Sequence, residues 1–99
     1  MFMFDKFTEK AKKVINNAGI EAEGMGHEAL GTEHIILGIL KEESGVAPVT
    51  LRNLGVDYDT FRKQVISIIG AGKETKKLKG ITPRTKKVFE IALQAAVQL

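Results

Sequence analysis

One stretch of this chain is written twice. Thr8-Glu9-Lys10-Ala11-Lys12-Lys13-Val14 aligns with Thr82-Pro83-Arg84-Thr85-Lys86-Lys87-Val88 at an offset of 74 residues, and the register continues as Ala18 meets Ala92 and Ala22 meets Ala96. Self-similarity at a fixed offset marks a structural unit that is reused. The second copy reaches Leu99, opposite Met25, so the 99 residues hold one whole unit and the first element of another.

That element is a helix. Phe7, Ala11, Val14, Ile15, Ala18 and Ala22 recur at spacings of three and four, which predicts a helix over 7–23 with Thr8 as N-cap and Gly24 and Gly26 at its end. A second helix is expected over 33–42, with Thr32 as N-cap, Glu33 in the first turn, and Ile35, Ile36, Leu37, Ile39 and Leu40 within. Being apolar on most sides, it belongs in the centre. Val46 to Leu54 form a third, where Pro48 is tolerable because first-turn N–H groups lack partners anyway. Asp57 caps a fourth, which carries Tyr58, Phe61, Val65, Ile68 and Ile69 and stops at Gly70. Thr82-Pro83, a cap followed by proline at the first helical position, starts the fifth. No segment reads as a strand. The expected fold is all-α: a four-helix unit over 1–72, a basic linker over 73–81, and the first helix of an incomplete second unit over 82–99.

Charge is distributed as unevenly as pattern. Residues 1–72 carry 8 basic and 10 acidic side chains, whereas 73–99 carry 7 and 2, with all seven bases between Lys73 and Lys87. No aromatic residue is interleaved with them, so nucleobases would find no stacking platform, and no nucleic-acid partner is expected. From Val88 to Leu99, nine of twelve residues are apolar, and Glu90, Gln94 and Gln98 form one narrow polar stripe. The remaining circumference of that helix calls for a covering surface. Two chains pairing through 82–99 would provide one, which makes a homodimer one expectation.

Several functions drop out. The absence of cysteine excludes disulfides, thiolate metal sites and thiol nucleophiles, and it fits a reducing compartment, so a cytoplasmic location is expected. No apolar run is long enough to span a membrane, and the first residues lack the basic and apolar regions of a signal peptide. His27-Glu28-Ala29-Leu30-Gly31 has glycine where the zinc-protease motif H-E-x-x-H needs its second histidine, so no metal is expected. Gly70-Ala71-Gly72-Lys73 departs from the phosphate-loop pattern, with Ser67 and Glu74 in place of the required glycine and hydroxyl, and it follows a predicted helix rather than a strand. With no nucleophile–base constellation either, neither enzymatic activity nor a cofactor is expected.

Gly31-Thr32-Glu33-His34-Ile35-Ile36-Leu37-Gly38-Ile39-Leu40 offers more. A helix N-terminus presents free N–H groups to an anion, and Glu33 beside it presents a carboxylate to a cation. A ligand carrying both charges would suit such a place. This decamer, with the repeat, resembles the Clp N-terminal (Clp repeat) domain of Hsp100 AAA+ unfoldases, most like the ClpC branch. Met3-Phe4-Asp5-Lys6-Phe7-Thr8 is similar to that family's opening M-F-x-x-F-T, and Gly26-His27 to the G-H preceding G-T-E-H. Gly45-Val46-Ala47 and Leu54-Gly55-Val56 are similar to its third-helix region, and Thr82 to Val88 to T-P-R-x-K-K-V. Pro48 departs from the family's small helix-forming residue.

The resemblance implies a non-catalytic recognition domain. Such domains receive substrate proteins and adaptor proteins and pass them to the ATPase ring, which threads them into a ClpP-type protease. In ClpC relatives they also bind phosphorylated arginine, with the acid of G-T-E-H on the guanidinium. That acid corresponds to Glu33, and the helix N-termini at Thr32 and Thr8 become candidates for the phosphate. Phe4 is a candidate apolar contact, and Phe7 is expected to pack on the first helix.

Overall fold

A computed structural model of the chain describes residues 8–43, 45–72 and 74–98, with side chains as far as Ile91. Five helices carry the fold: α1 (Glu9–Gly24), α2 (Thr32–Leu40), α3 (Val46–Asn53), α4 (Tyr58–Ile69) and α5 (Pro83–Gln98). The repeat is visible in how two of them start. Thr8 Oγ1 accepts the Ala11 N–H at 3.1 Å, and Thr82 Oγ1 accepts the Thr85 N–H at 3.1 Å. Each threonine satisfies one of the donors that a helix N-terminus leaves open. Asp57 does the same for α4, accepting from Thr60 N at 3.0 Å.

Helix α2 lies antiparallel on α1. Ile35, near its start, packs with Ala18 and Ala22, while Ile39, near its end, shares a groove with Lys10 and Ala11. Small residues set the approach: Ala18 and Ala22 are fully buried, and Gly38 has no side chain to hold the helices apart. On one side of this pair, Ala18, Ala22, Leu30 and Phe89 of α5 form a core cluster. On the other, Met25, Leu37 and Val65 form a second, with Tyr58 and Phe61 of α4 against it. The Tyr58 hydroxyl donates to Glu21 Oε1 at 2.5 Å, and Arg62 Nε stands 3.7 Å from the same oxygen, clamping α4 to α1. Burial, together with the Glu21 carboxylate, pushes the Tyr58 pKa up to about 12.

Two expectations require correction. The chain contains strands, though minimal ones: β1 (Ala29–Leu30) pairs in parallel with β2 (Gly80–Ile81). Two residues are too few for an alternating pattern to show in a sequence. Thr32 is not the N-cap of α2 but its first residue; Gly31 is the cap, in an extended conformation. The helix ends at Leu40, two residues short of the expected boundary.

The basic segment after α4 lies along the first unit instead of standing away from it. Gly72 N donates to Met25 O at 2.7 Å, Lys76 N to Glu23 O at 3.1 Å, Lys79 N to Glu28 O at 2.7 Å and Thr82 N to Leu30 O at 2.9 Å. Its sizeable apolar residues, Leu78 and Ile81, pack against the Ala18–Phe89 cluster. Lys76 and Lys79 each reach Glu28 at 3.3 Å, and those two ammonium groups hold the Glu28 carboxyl below its usual range.

Gly38 tests the α1–α2 packing. A Cβ there would fall on the Val14 carbonyl and 3.0 Å from Ala18 N, both backbone atoms that no rotamer can move. At an exposed helical glycine, alanine stabilises by roughly 1 kcal/mol. Here the sign reverses: Gly38→Ala is expected to cost about 1–3 kcal/mol by overpacking, read as a lower urea midpoint at unchanged slope.

Candidate ligand site at two helix N-termini

The β1–β2 pair brings together two helix starts that are far apart in sequence. Leu30 precedes Gly31, the cap of α2, and Ile81 precedes Thr82, the cap of α5, with Thr82 N bonded to Leu30 O. The open N–H groups and positive dipole ends of α2 and α5 therefore emerge beside one another. Helix α5 has no acid in its first turn, but it carries the exposed cations Arg84, Lys86 and Lys87 close to its start. Cations at that end oppose the dipole preference, so α5 concentrates positive charge where an anion would relieve it.

Glu33 supplies the opposite charge. Its side chain is 28% exposed, and its carboxylate folds back over Gly31. A Cβ on Gly31 would lie 2.7 Å from the Glu33 carboxyl carbon. Glycine at 31 thus leaves room for the carboxylate, since its φ of −108° is open to any residue.

Beneath Glu33 runs a chain of hydrogen bonds. Gly31 N–H donates to His34 Nδ1 at 2.8 Å, so that nitrogen carries no proton. The proton of neutral His34 is then on Nε2, which donates to His27 Nδ1 at 2.8 Å. His27 in turn keeps its proton on Nε2 and donates to the Gly70 carbonyl at 2.7 Å. These tautomers follow from the donor at one end and the acceptor at the other. The chain ties the start of α2 to the cap of α4, and His34 reaches back to the N–H of the capping residue Gly31, the reciprocal half of a capping box. His34 is 1% exposed, and burial draws its pKa below the usual histidine value, with the Glu33 carboxylate opposing the shift.

Thr32 and Glu33 share the first turn of α2. Thr8 does not join them. Because α1 and α2 are antiparallel, Thr8 stands at the far end of the pair, beyond Ile39 and Lys10. Phe4 and Phe7 lie outside the described residues. Residues that the motif alone passed over are Thr82 and Arg84, and the His27–His34 contact. The only signals in the sequence were the hydroxyl–proline cap and a histidine at the third position of a helix.

The chain matches the Clp repeat (R) N-terminal domain over residues 6–99. It belongs to that family. A probable ATP-dependent Clp protease ATP-binding subunit of Chlamydia pneumoniae is 50% identical over 96 residues, 95% of this chain and 11% of that protein. The negative regulator of genetic competence ClpC/MecB of Bacillus subtilis (strain 168) is 43% identical over 97 residues, 98% of this chain and 12% of that protein. The chloroplastic chaperone protein ClpC1 of Oryza sativa subsp. japonica is 43% identical over 98 residues, 98% of this chain and 11% of that protein. The chain thus spans about a tenth of the length of these relatives. Clp repeat domains are accessory to the unfoldase motor and are not its catalytic part. Among the described residues, no helix is long and apolar enough to cross a membrane, and no group of three His, Cys, Asp or Glu is placed to hold a metal ion.

The buried histidine makes stability depend on pH. Its folded-state pKa lies below the unfolded value of 6.5, so the unfolded chain takes up the proton first. Stability is greatest above pH 6.5 and falls as the pH drops toward the folded value, by up to about 1.4 kcal/mol per unit. Glu28 and Asp57, whose pKa values are also lowered, lose their contributions only in more acidic solution, below 4.5 and 3.8 respectively. Urea midpoints measured from pH 7.5 to 5 are expected to show the first step, and His34→Gln, which cannot titrate, is expected to abolish it.

Proposed function

We propose that this Clp repeat domain is the substrate- and adaptor-recognition part of a ClpC-type unfoldase subunit and that it binds phosphoarginine between the starts of α2 and α5. The observation that carries this reading is the juxtaposition made by Thr82 N and Leu30 O. It sets the Glu33 carboxylate near the N-terminus of α5, with Arg84 in its first turn. A guanidinium fits the carboxylate, and a phosphoryl group fits the helix N-terminus and Arg84. Neither needs a cofactor or a metal. Thr32 and Thr82 line the same place, and Thr8, capping α1, would serve a separate one. In this reading the larger protein, of cytoplasmic type, hands tagged substrates and those brought by adaptor proteins to a ClpP-type protease.

Calorimetric titration of free phosphoarginine is expected to give saturable binding near one site per chain. Glu33→Ala and Arg84→Ala each remove one charge-assisted partner and should weaken it by roughly 1.5–3 kcal/mol, or about ten- to a hundredfold. Gly31→Ala should weaken it too while leaving the melting curve nearly unchanged, because only the end of a flexible side chain is displaced. A folded protein that gives no heat would remove the tag from the reading and leave adaptor docking.

Self-association is the second reading, and exposed apolar side chains on α5 favour it. Val88 and Ile91 are 45% and 55% exposed. Covering them with the same helix of a second copy would bury both faces at once. Light scattering should then report twice the 10.8 kDa chain mass, reverting to one on Val88→Asp with Ile91→Asp. A monomer at high concentration excludes it.

A further inference from the structure

We propose that the neutral His27–His34 pair positions Glu33 for its ligand, and that a proton taken up by His34 competes with the ligand's cation for the Glu33 carboxylate. This rests on Glu33 being the guanidinium acceptor.

The competition follows from one atom. His34 Nδ1 accepts from Gly31 N–H at 2.8 Å and also lies 3.7 Å from Glu33 Oε1. While that nitrogen is bare it offers the carboxylate no hydrogen, and Glu33 remains available to a ligand. With His34 Nε2–H committed to His27, an added proton must enter at Nδ1. The new N–H then points donor against donor at Gly31 and donor to acceptor at Glu33. The Gly31 bond breaks and a charge-assisted bond to Glu33 replaces it. The N-cap of α2 and the free carboxylate are lost together.

The surroundings of His34 pull its protonation in both directions. Glu33 on α2 and Glu21 on α1 both favour the imidazolium. Burial opposes it, as does His27 from the loop after α1. Glu21 is itself engaged by Tyr58 and Arg62 of α4, and His27 is held by the Gly70 carbonyl at the end of that helix. His27 and His34 touch no ligand in this account; they are positioning residues.

Long-range nitrogen–proton NMR of the two imidazoles tests this on the intact chain. At pH 7.5 both rings should be in the Nε2–H form. On acidification, protonation of His34 Nδ1, a shift of the Gly31 amide and a shift of the Glu33 carboxyl carbon should share one midpoint. Phosphoarginine titrations above and below that midpoint supply the functional readout. The binding-competent fraction falls about tenfold for each pH unit below the folded-state pKa of His34. One pH unit below that midpoint, affinity should accordingly have dropped about tenfold more in the unmodified chain than in His34→Gln, whose amide can accept from Gly31 and donate to His27 without titrating. The ionisation of the ligand itself cancels in that ratio. An Nδ1–H tautomer in either ring at pH 7.5 overturns the proposal. So does a Glu33 resonance that ignores the His34 titration, or an identical pH profile in His34→Gln. If phosphoarginine fails to bind at pH 7.5, the reading of the site falls, while the ring and Glu33 resonances still decide whether proton and carboxylate are coupled.

Discussion

The segment between α4 and α5 has few apolar groups with which to hold itself down, and its lysines would keep it in water if nothing else acted. Backbone hydrogen bonds act instead. From Gly72 on Met25 to Thr82 on Leu30, the segment lies along residues 23–30. Leu78 and Ile81 secure it against the core, and Glu28 pairs with both Lys76 and Lys79. Each such bond contributes only about 1 kcal/mol net, but together they decide where α5 begins. Since α5 begins beside Leu30, its N-terminus lies next to that of α2. The candidate site depends on that placement.

A second constraint acts from below. The loop before β1 and the end of α4 are joined through two imidazoles, with a backbone N–H at one end and a backbone carbonyl at the other. A buried chain of this kind is fully satisfied in only one pattern of protons, and partial satisfaction in a low dielectric is costly. It therefore gives the start of α2 a fixed geometry and places Glu33 over Gly31.

Much of the architecture was legible in the residues. Thr8 and Thr82 cap as their shared pattern implies, Asp57 caps α4, and the apolar decamer is central, with Leu37 fully buried. These readings depend on interactions within one turn, which a local pattern encodes. Thr32 misled for a related reason: a hydroxyl beside an acid looks like a cap, yet the helix starts at Thr32 itself, and the capping residue is Gly31, whose N–H the His34 side chain holds. Glu33 was singled out by its motif. That α5 starts beside α2 was not legible, because nothing local says that residue 82 lies beside residue 30.

The sequence by itself determined the helices, the caps of α1, α4 and α5, the family and the acid at the start of α2. Periodicity and capping arise from contacts three and four residues apart, and a repeat needs only comparison of the chain with itself. Tertiary structure alone decided which helix ends meet. It separated Thr8 from Glu33 by laying α1 and α2 antiparallel, and it set the start of α5 beside that of α2 through a bridge of two residues on each side. It also brought His27 onto His34 and so determined which ring nitrogens carry protons. Those outcomes depend on backbone hydrogen bonds between distant segments, and backbone groups are the same in every residue, so no pattern of side chains records them.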